Sequence, residues 1–185
     1  QRSELNIPEL PFYGRSDLTA LYDRIKTPAI ESPLMLNKNG EKLEITLHHA
    51  GHVAGAVSVS IKFKRKTIFF TGDILFNDQR TLDGANLPQH PVDILVTETT
   101  RGATETPKNQ TRESEIVRLL QQMNSTLTKG GSVLIPVFAL GRMQEMLLIL
   151  EEAFKNNALP KTQVFCSGLG MDLVNHFHEI SKNTK

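Results

Sequence analysis

The 185-residue sequence is sparing with the features that usually announce a compartment or a ligand. It holds one cysteine, Cys166. A single thiol excludes an internal disulfide framework and leads to the expectation of a reducing, cytoplasmic setting. There is no run of about 18 apolar residues, so no transmembrane helix is expected, and no signal peptide is legible. The net charge is only +1. No overall basic field advertises nucleic acid, although a local basic surface stays open. GxGxxG is absent, which leaves a dinucleotide site little support, and GxxxxGK[ST] is absent, which argues against a nucleoside triphosphatase. Repeats and low-complexity tracts are missing. The first residue is Gln1 rather than Met, and the expectation is an excised or processed segment.

What is present is an ordinary globular composition, 39% hydrophobic and 22% charged, long enough for one good-sized domain or parts of two. "RSDLTALYDRI" predicts a short helix capped at Ser16 or Asp17, with Leu18, Leu21, Tyr22 and Ile25 on one face. "KLEITLHH" alternates and predicts a strand. In "AVSVSIKFKRKTIFFTGD", Val57, Val59, Ile61 and Phe63 alternate with polar residues up to a turn at "KRK", and the chain returns through Ile68, Phe69 and Phe70. Three strand-then-helix units follow the polar loop "NDQRTLDGANLPQHP". The strands are "VDILVTE", "SVLIPVF" and "TQVFCSG". The helices contain "SEIVRLLQQMNSTLT", "RMQEMLLILEEAFK" and "MDLVNHFHEIS". Alternating β and α with near-continuous apolar strands predicts an α/β fold with a parallel sheet covered by helices. A change of composition at "GATETPKNQ" places a domain boundary near residues 102–110.

Three stretches could carry chemistry. In "HHAGHVAGA", residues 48–56, small neighbours leave His52 free to point into a shared cavity. Asp73 closes the next hairpin, again after a glycine, so both arrive at one edge of the sheet. Imidazole and carboxylate together are the donor set of zinc and similar divalent ions. A capped turn with a buried, hydrogen-bonded histidine satisfies the same residues. His48 and His49 alternate onto opposite faces of the strand and are read as structural. Glu98 ends a parallel strand, where acids point into the crevice of α/β sites; a helix-capping or loop acid is the other reading. In "GGSVLIPVFALGRMQEML" a strand enters a tight turn and Arg142 opens a helix. A helix N-terminus suits phosphate, and Arg reads phosphate bidentately; a solvated or salt-bridged Arg fits equally.

Taken together these stretches resemble the metallo-β-lactamase superfamily, and within it the β-CASP nucleases. "AGHVAGA" resembles the third metal-binding motif of that fold and "TGD" the fourth. "VTETTRGA" is similar to motif A of the family, with Glu98 as its acid. "GGSVLIPVFALGRMQEMLLIL" resembles the β-CASP segment over its whole length. "VFCSGLGMDLV" is similar to the strand and helix that follow, although many relatives carry two serines where this chain has Ser167-Gly168. The resemblance covers about residues 17–180, and its nearest relatives are RNA-processing branches, the RNase J-like enzymes and the cleavage-and-polyadenylation endonucleases. It implies the second half of a metallo-β-lactamase αββα sandwich over 1–103. Over 104–185 it implies the start of a Rossmann-like, parallel-sheet β-CASP domain.

The resemblance also implies a mechanism. Two zinc ions about 3.5–4 Å apart activate a water that attacks an RNA phosphodiester in line. By this likeness His52 binds metal and Asp73 bridges both ions. Glu98 orients a histidine that protonates the leaving group. Phe138, Gly141, Arg142 and Ser167 line the path of the RNA. The family's HxHxDH motif should precede residue 17, yet no histidine occurs before His48, and the histidines of the later motifs should follow the third helix. His176 and His178, at i, i+2 on a predicted helix, point apart and are read as surface residues. The expectation is therefore a segment of a zinc-dependent ribonuclease that is inactive alone, binds metal weakly and leaves an exposed sheet edge open to self-association. A non-catalytic β-CASP scaffold subunit of an RNA-processing complex is the competing reading, and a DNA-directed nuclease is a weaker one.

Overall fold

The structure is a computed structural model that describes residues 13–183. Five strands form one sheet in chain order: β1 (Leu34–Lys38), β2 (Glu41–His49), β3 (Val57–Phe63), β4 (Lys66–Phe70) and β5 (Ile94–Val96). The first three pairings are antiparallel, and β5 joins β4 in parallel. The helices are α1 (Arg15–Tyr22), α2 (Arg112–Thr128), α3 (Arg142–Lys155) and α4 (Leu169–Asn183). The chain is thus α/β with a mixed sheet. Among the described residues no helix is long and apolar enough to cross a membrane.

The strand order follows from local chemistry. β3 and β4 are joined by a turn in which Lys64 takes φ +56°, and the register pairs Ile61 with Ile68 and Phe63 with Lys66. β1, which the sequence reading left unassigned, pairs with β2 across an Asn39-Gly40 turn with φ values of 54° and 80°. Asn-Gly with both residues left-handed is the two-residue hairpin turn whose twist suits flanking strands. β5 is fastened from outside the ladder. Lys66 Nζ donates to Asp93 Oδ1 at 2.6 Å and the Thr67 amide to Asp93 Oδ2 at 2.8 Å.

Three expectations are revised. The first helix is capped at Gly14, not at Ser16 or Asp17; Asp17 instead accepts the Gly14 amide at 2.7 Å. Its apolar residues Leu18, Leu21 and Tyr22 stay exposed, so its face is not used for packing. "SVLIPVF" and "TQVFCSG" join no ladder among the described residues. Along the first, burial alternates all the same: Val133 and Ile135 turn toward the core, while Leu134 is 92% exposed. Periodicity reports which face is apolar, but a strand also needs a neighbour that local sequence does not encode. Of the three strands expected to build a parallel sheet, only β5 lies in one.

The best-buried cluster is helical. Met123, Leu150, Ala153 and Leu159 form it, with Leu119, Leu127, Val133, Ile135 and Phe154 packed around. α2 starts with a Thr111 side chain accepting the Ser114 amide at 3.1 Å and stops at Gly130. On α3 the buried stripe Glu145, Ile149, Ala153 contains an acid. Glu145, 3% exposed, accepts the amides of Arg80 and Thr81 at 3.0 Å each, the Thr81 hydroxyl at 3.1 Å, and the Arg112 guanidinium. Arg80 goes on to Glu152 at 2.8 Å. One carboxylate therefore fastens the 79–81 loop to α2 and α3. Burial pushes the Glu145 carboxyl up. The Arg80 amide, the Arg112 guanidinium and the Thr81 donors outweigh that, and leave it below its ordinary 4.5.

A depressed folded-state pKa gives stability that is present above the unfolded value and is lost as pH falls through the folded one. Glu145→Ala should cost about 3 kcal/mol at pH 7, the size expected when a buried charge pair loses one member. Urea melts should show that cost shrinking below pH 4.5, the ordinary value of the carboxyl. An equal cost at pH 3 and pH 7 would show that the clamp is not ionic.

Candidate functional site

The carboxyl end of β4 carries Thr71-Gly72-Asp73. Thr71 is buried, 3% exposed, and is held from three sides. Its amide donates to Val96 O at 3.0 Å. Its carbonyl accepts the fully buried Ser58 hydroxyl at 2.8 Å. Its own hydroxyl donates to Gly72 O at 2.9 Å and accepts the Glu98 amide at 3.3 Å. A buried hydroxyl without partners is costly, so Ser58 and Thr71 fix where β3 starts and where β4 and β5 stop. Asp73 then stands exposed at the tip and Glu98 half-buried beside it.

His52 lies in the β2–β3 connection at the same end of the sheet. The turn needs Gly51: its φ is +68°, and a Cβ there would fall 2.3 Å from Leu75 O. The 74–86 loop closes over it, with the Leu75 amide on Ala50 O at 2.9 Å and the Asn86 amide on His49 O at 2.8 Å. Gln79 Nε2 donates to Gly51 O at 2.7 Å and to His52 O at 3.2 Å. His52 itself is half-buried.

Glu98 joins the two. The Thr100 hydroxyl, then the amides of Ile74 and Thr100, and the nearby His52 hold its carboxyl below the ordinary 4.5, against some desolvation. The Ile74 amide reaches Glu98 Oε1 at 2.9 Å, so this acid pins the residue next to Asp73. The Glu98 carboxylate acts here as a hydrogen-bond acceptor. His52, Asp73 and Glu98 therefore meet at one sheet end. Among the described residues no group of three His, Cys, Asp or Glu side chains stands where it could hold one metal ion. A zinc site takes three or four protein donors, so these residues do not fit a zinc ion by themselves.

The expected substrate-side residues are placed less evenly. Gly141 caps α3 with φ +83°, and a Cβ there would meet Val53 Cγ1 at 2.7 Å. The turn is thus seated on the His52 loop. The Gly141 amide is taken by Gln144 Oε1 at 2.7 Å. Arg142 Nη1 donates to Gln79 Oε1 at 2.6 Å, which uses one of the five N–H donors of a guanidinium. Phe138 is 84% exposed. Ser167 is exposed, ahead of α4, whose Gly170 packs on Met143. An open cleft of about 1490 Å³ runs between the 75–78 loop, α2 and α3, lined by Phe138, Arg101, Arg112, Arg118 and Arg142 among others. Arg112 and Arg118 are matched by Glu145 and Glu115. Among the described residues no ion pair engages Arg101 or Arg142.

His48 has the structural role expected of it. Buried at 5%, it bonds Glu31 Oε2 through Nδ1 and Ser60 Oγ through Nε2, both at 2.9 Å. His176 and His178 are exposed on α4, as expected. Sequence reasoning missed Gln79, Glu145 and Glu31. Glu145 left a signal, an acid on the apolar stripe of a helix. Gln79 and Glu31 sit in irregular segments and left none.

No family model matches the chain. Comparison with curated proteins does find relatives. The chain is 41% identical over 145 residues to "Endoribonuclease ysh1" of Schizosaccharomyces pombe, a match of 78% of this chain and 18% of that protein. It is 34% identical over 156 residues to "Endoribonuclease YSH1" of Saccharomyces cerevisiae, covering 84% and 19%. It is 36% identical over 140 residues to "Integrator complex subunit 11" of Danio rerio, covering 76% and 23%. The chain spans between 18% and 23% of the length of these relatives.

Proposed function

We propose that the chain is part of a metal-dependent phosphodiester hydrolase that cuts RNA, of the metallo-β-lactamase and β-CASP type. In this reading residues 1–103 belong to the first domain and 104–185 to the second. The observation that carries it is the placement of His52, Asp73 and Glu98 at one end of the sheet, with the Gly141–Arg142 turn seated on the His52 loop. The likeness to proteins named endoribonucleases supports the choice of RNA over DNA.

His52 and Asp73 supply two of the donors for a zinc pair, and the others come from elsewhere in a longer polypeptide. Such ions, when bound, lower the pKa of water and neutralise charge at phosphorus. The residues of this chain have their own tasks. Glu98 stays ionised and fixes the backbone beside Asp73. Arg142 offers the remaining edge of its guanidinium to a phosphate, with Arg101 further along the cleft. The Phe138 ring gives a base a surface to stack on, and the Ser167 hydroxyl adds a polar contact across α3. The likeness to an Integrator subunit supports partner subunits as well as RNA.

One observation favours the scaffold reading, namely that no three-donor group exists among the described residues. Two experiments separate the readings. The full polypeptide that contains this segment should cut single-stranded RNA when zinc is supplied. Asp73→Ala should lower the rate by at least about 100-fold and Glu98→Gln by about 10- to 100-fold, the range for residues that orient a metal site. A full polypeptide that cleaves neither RNA nor single-stranded DNA under these conditions leaves the scaffold. The 185-residue chain alone should neither cut RNA nor hold zinc against a mild chelator. Cleavage by it that Asp73→Ala abolishes would overturn the assignment of the missing donors to the rest of the polypeptide.

A further inference from the structure

We propose that Gln79 is the positioning residue of this site, a single carboxamide that holds the His52 loop and the Arg142 guanidinium at once. Calling it the site rests on the reading of His52 just given; the coupling itself does not. Gln79 comes from a loop with no helical or strand periodicity. It is half-buried, and its carboxamide oxygen and nitrogen both have partners. Arg142 can only donate, so the oxygen of the carboxamide must face it, and does so at 2.6 Å. That leaves both N–H bonds of the carboxamide for acceptors. They reach the carbonyls of Gly51 at 2.7 Å and of His52 at 3.2 Å. Each end of the side chain is chemically matched to its partner, and a reversed amide would face Arg142 with a donor.

The neighbours make this contact stiff. The next two residues are locked by Glu145 through the Arg80 and Thr81 amides, so Gln79 cannot follow either partner by shifting its backbone. On the far side Gly141 sits against Val53 at the distance where even a methyl group would not fit. The turn that carries Phe138, Gly141 and Arg142 is therefore tied to the histidine loop by one side chain and one tight contact. A phosphate that draws on Arg142 pulls on the carbonyl of His52. In the intact enzyme Gln79 would report the presence of substrate to the metal ligand.

Amide exchange and imidazole resonances measured by NMR on the 185-residue chain test this without reference to cleavage. Gln79→Ala should speed exchange of the Ala50 and Ala56 amides, which close the His52 loop, by about tenfold, the scale of one hydrogen bond between neutral groups. It should also move the His52 imidazole resonances. Arg142→Gln should move the same signals, and the double variant should do no more than the larger single one, the mark of a shared pathway. Gln79→Glu keeps an acceptor for Arg142 and loses both donors. It should free the His52 loop while Arg142 stays in place, and it carries the test if Gln79→Ala fails to fold. Ile61 and Leu150 amides serve as the check that sheet and helical core persist. Unmoved His52 signals in Gln79→Glu, or effects of Gln79 and Arg142 that simply add, would overturn the proposal. Failure of the full polypeptide to cut RNA would overturn the nuclease reading and leave these results standing.

Discussion

The arrangement depends on one buried charge. Glu145 is an acid on a helix face that otherwise reads Ile149 and Ala153, and it is retained there because four donors from two other segments converge on it. A carboxylate with so little exposure cannot be left short of partners, since the desolvation of an ion is repaid only by close, well-aligned contacts. The 79–81 loop is thus bound to α3 by more than proximity. From that loop the consequences run outward. Gln79 reaches the turn that holds His52, Arg80 reaches Glu152, and the loop itself roofs the end of the sheet where Asp73 and Glu98 emerge.

Three described acids sit below their ordinary pKa, Asp93 beside Lys66 among them, and the other two, Glu98 and Glu145, do so for different ends. Glu98 is lowered chiefly by a neighbouring hydroxyl and by two backbone amides. Such partners orient a carboxylate without cancelling its charge, which remains available to whatever approaches the site. Glu145 is lowered against strong desolvation with a guanidinium among its partners. Its charge is largely spent inside the molecule. The first arrangement suits chemistry and the second suits architecture, and the direction of the pKa alone would not tell them apart.

Much of this was legible in the sequence. Period-2 alternation located β2 and β3, the hairpin return through Ile68, Phe69 and Phe70 located β4, and helical spacing located α2, with α3 and α4 following in the strand-then-helix units. The glycines around His52 and ahead of Asp73 announced a tight sheet end, and the structure places both residues there. What escaped was non-local. β1 was signalled only by Asn39-Gly40 behind a mixed segment. "SVLIPVF" and "TQVFCSG" have the apolar runs of buried strands, yet pairing depends on a neighbour that no local pattern names. Gln79 matters because of Gly51 and Arg142, which lie 28 and 63 positions away. A glutamine in a polar loop has no signature until those partners are placed around it.

The contrast between sheet and site has a consequence for the order in which the molecule assembles. The sheet from β1 to β4 is made of hairpins, whose partners are close in sequence and cheap to bring together. The Glu145 clamp on the 79–81 loop joins residues 64 and 65 positions apart, so it closes larger loops and carries a greater entropic cost. The hairpins can therefore form before the site does, and can persist after it has opened. The arrangement of the site would then be the last feature to form on folding and the first to come apart under stress, while most of the secondary structure remains.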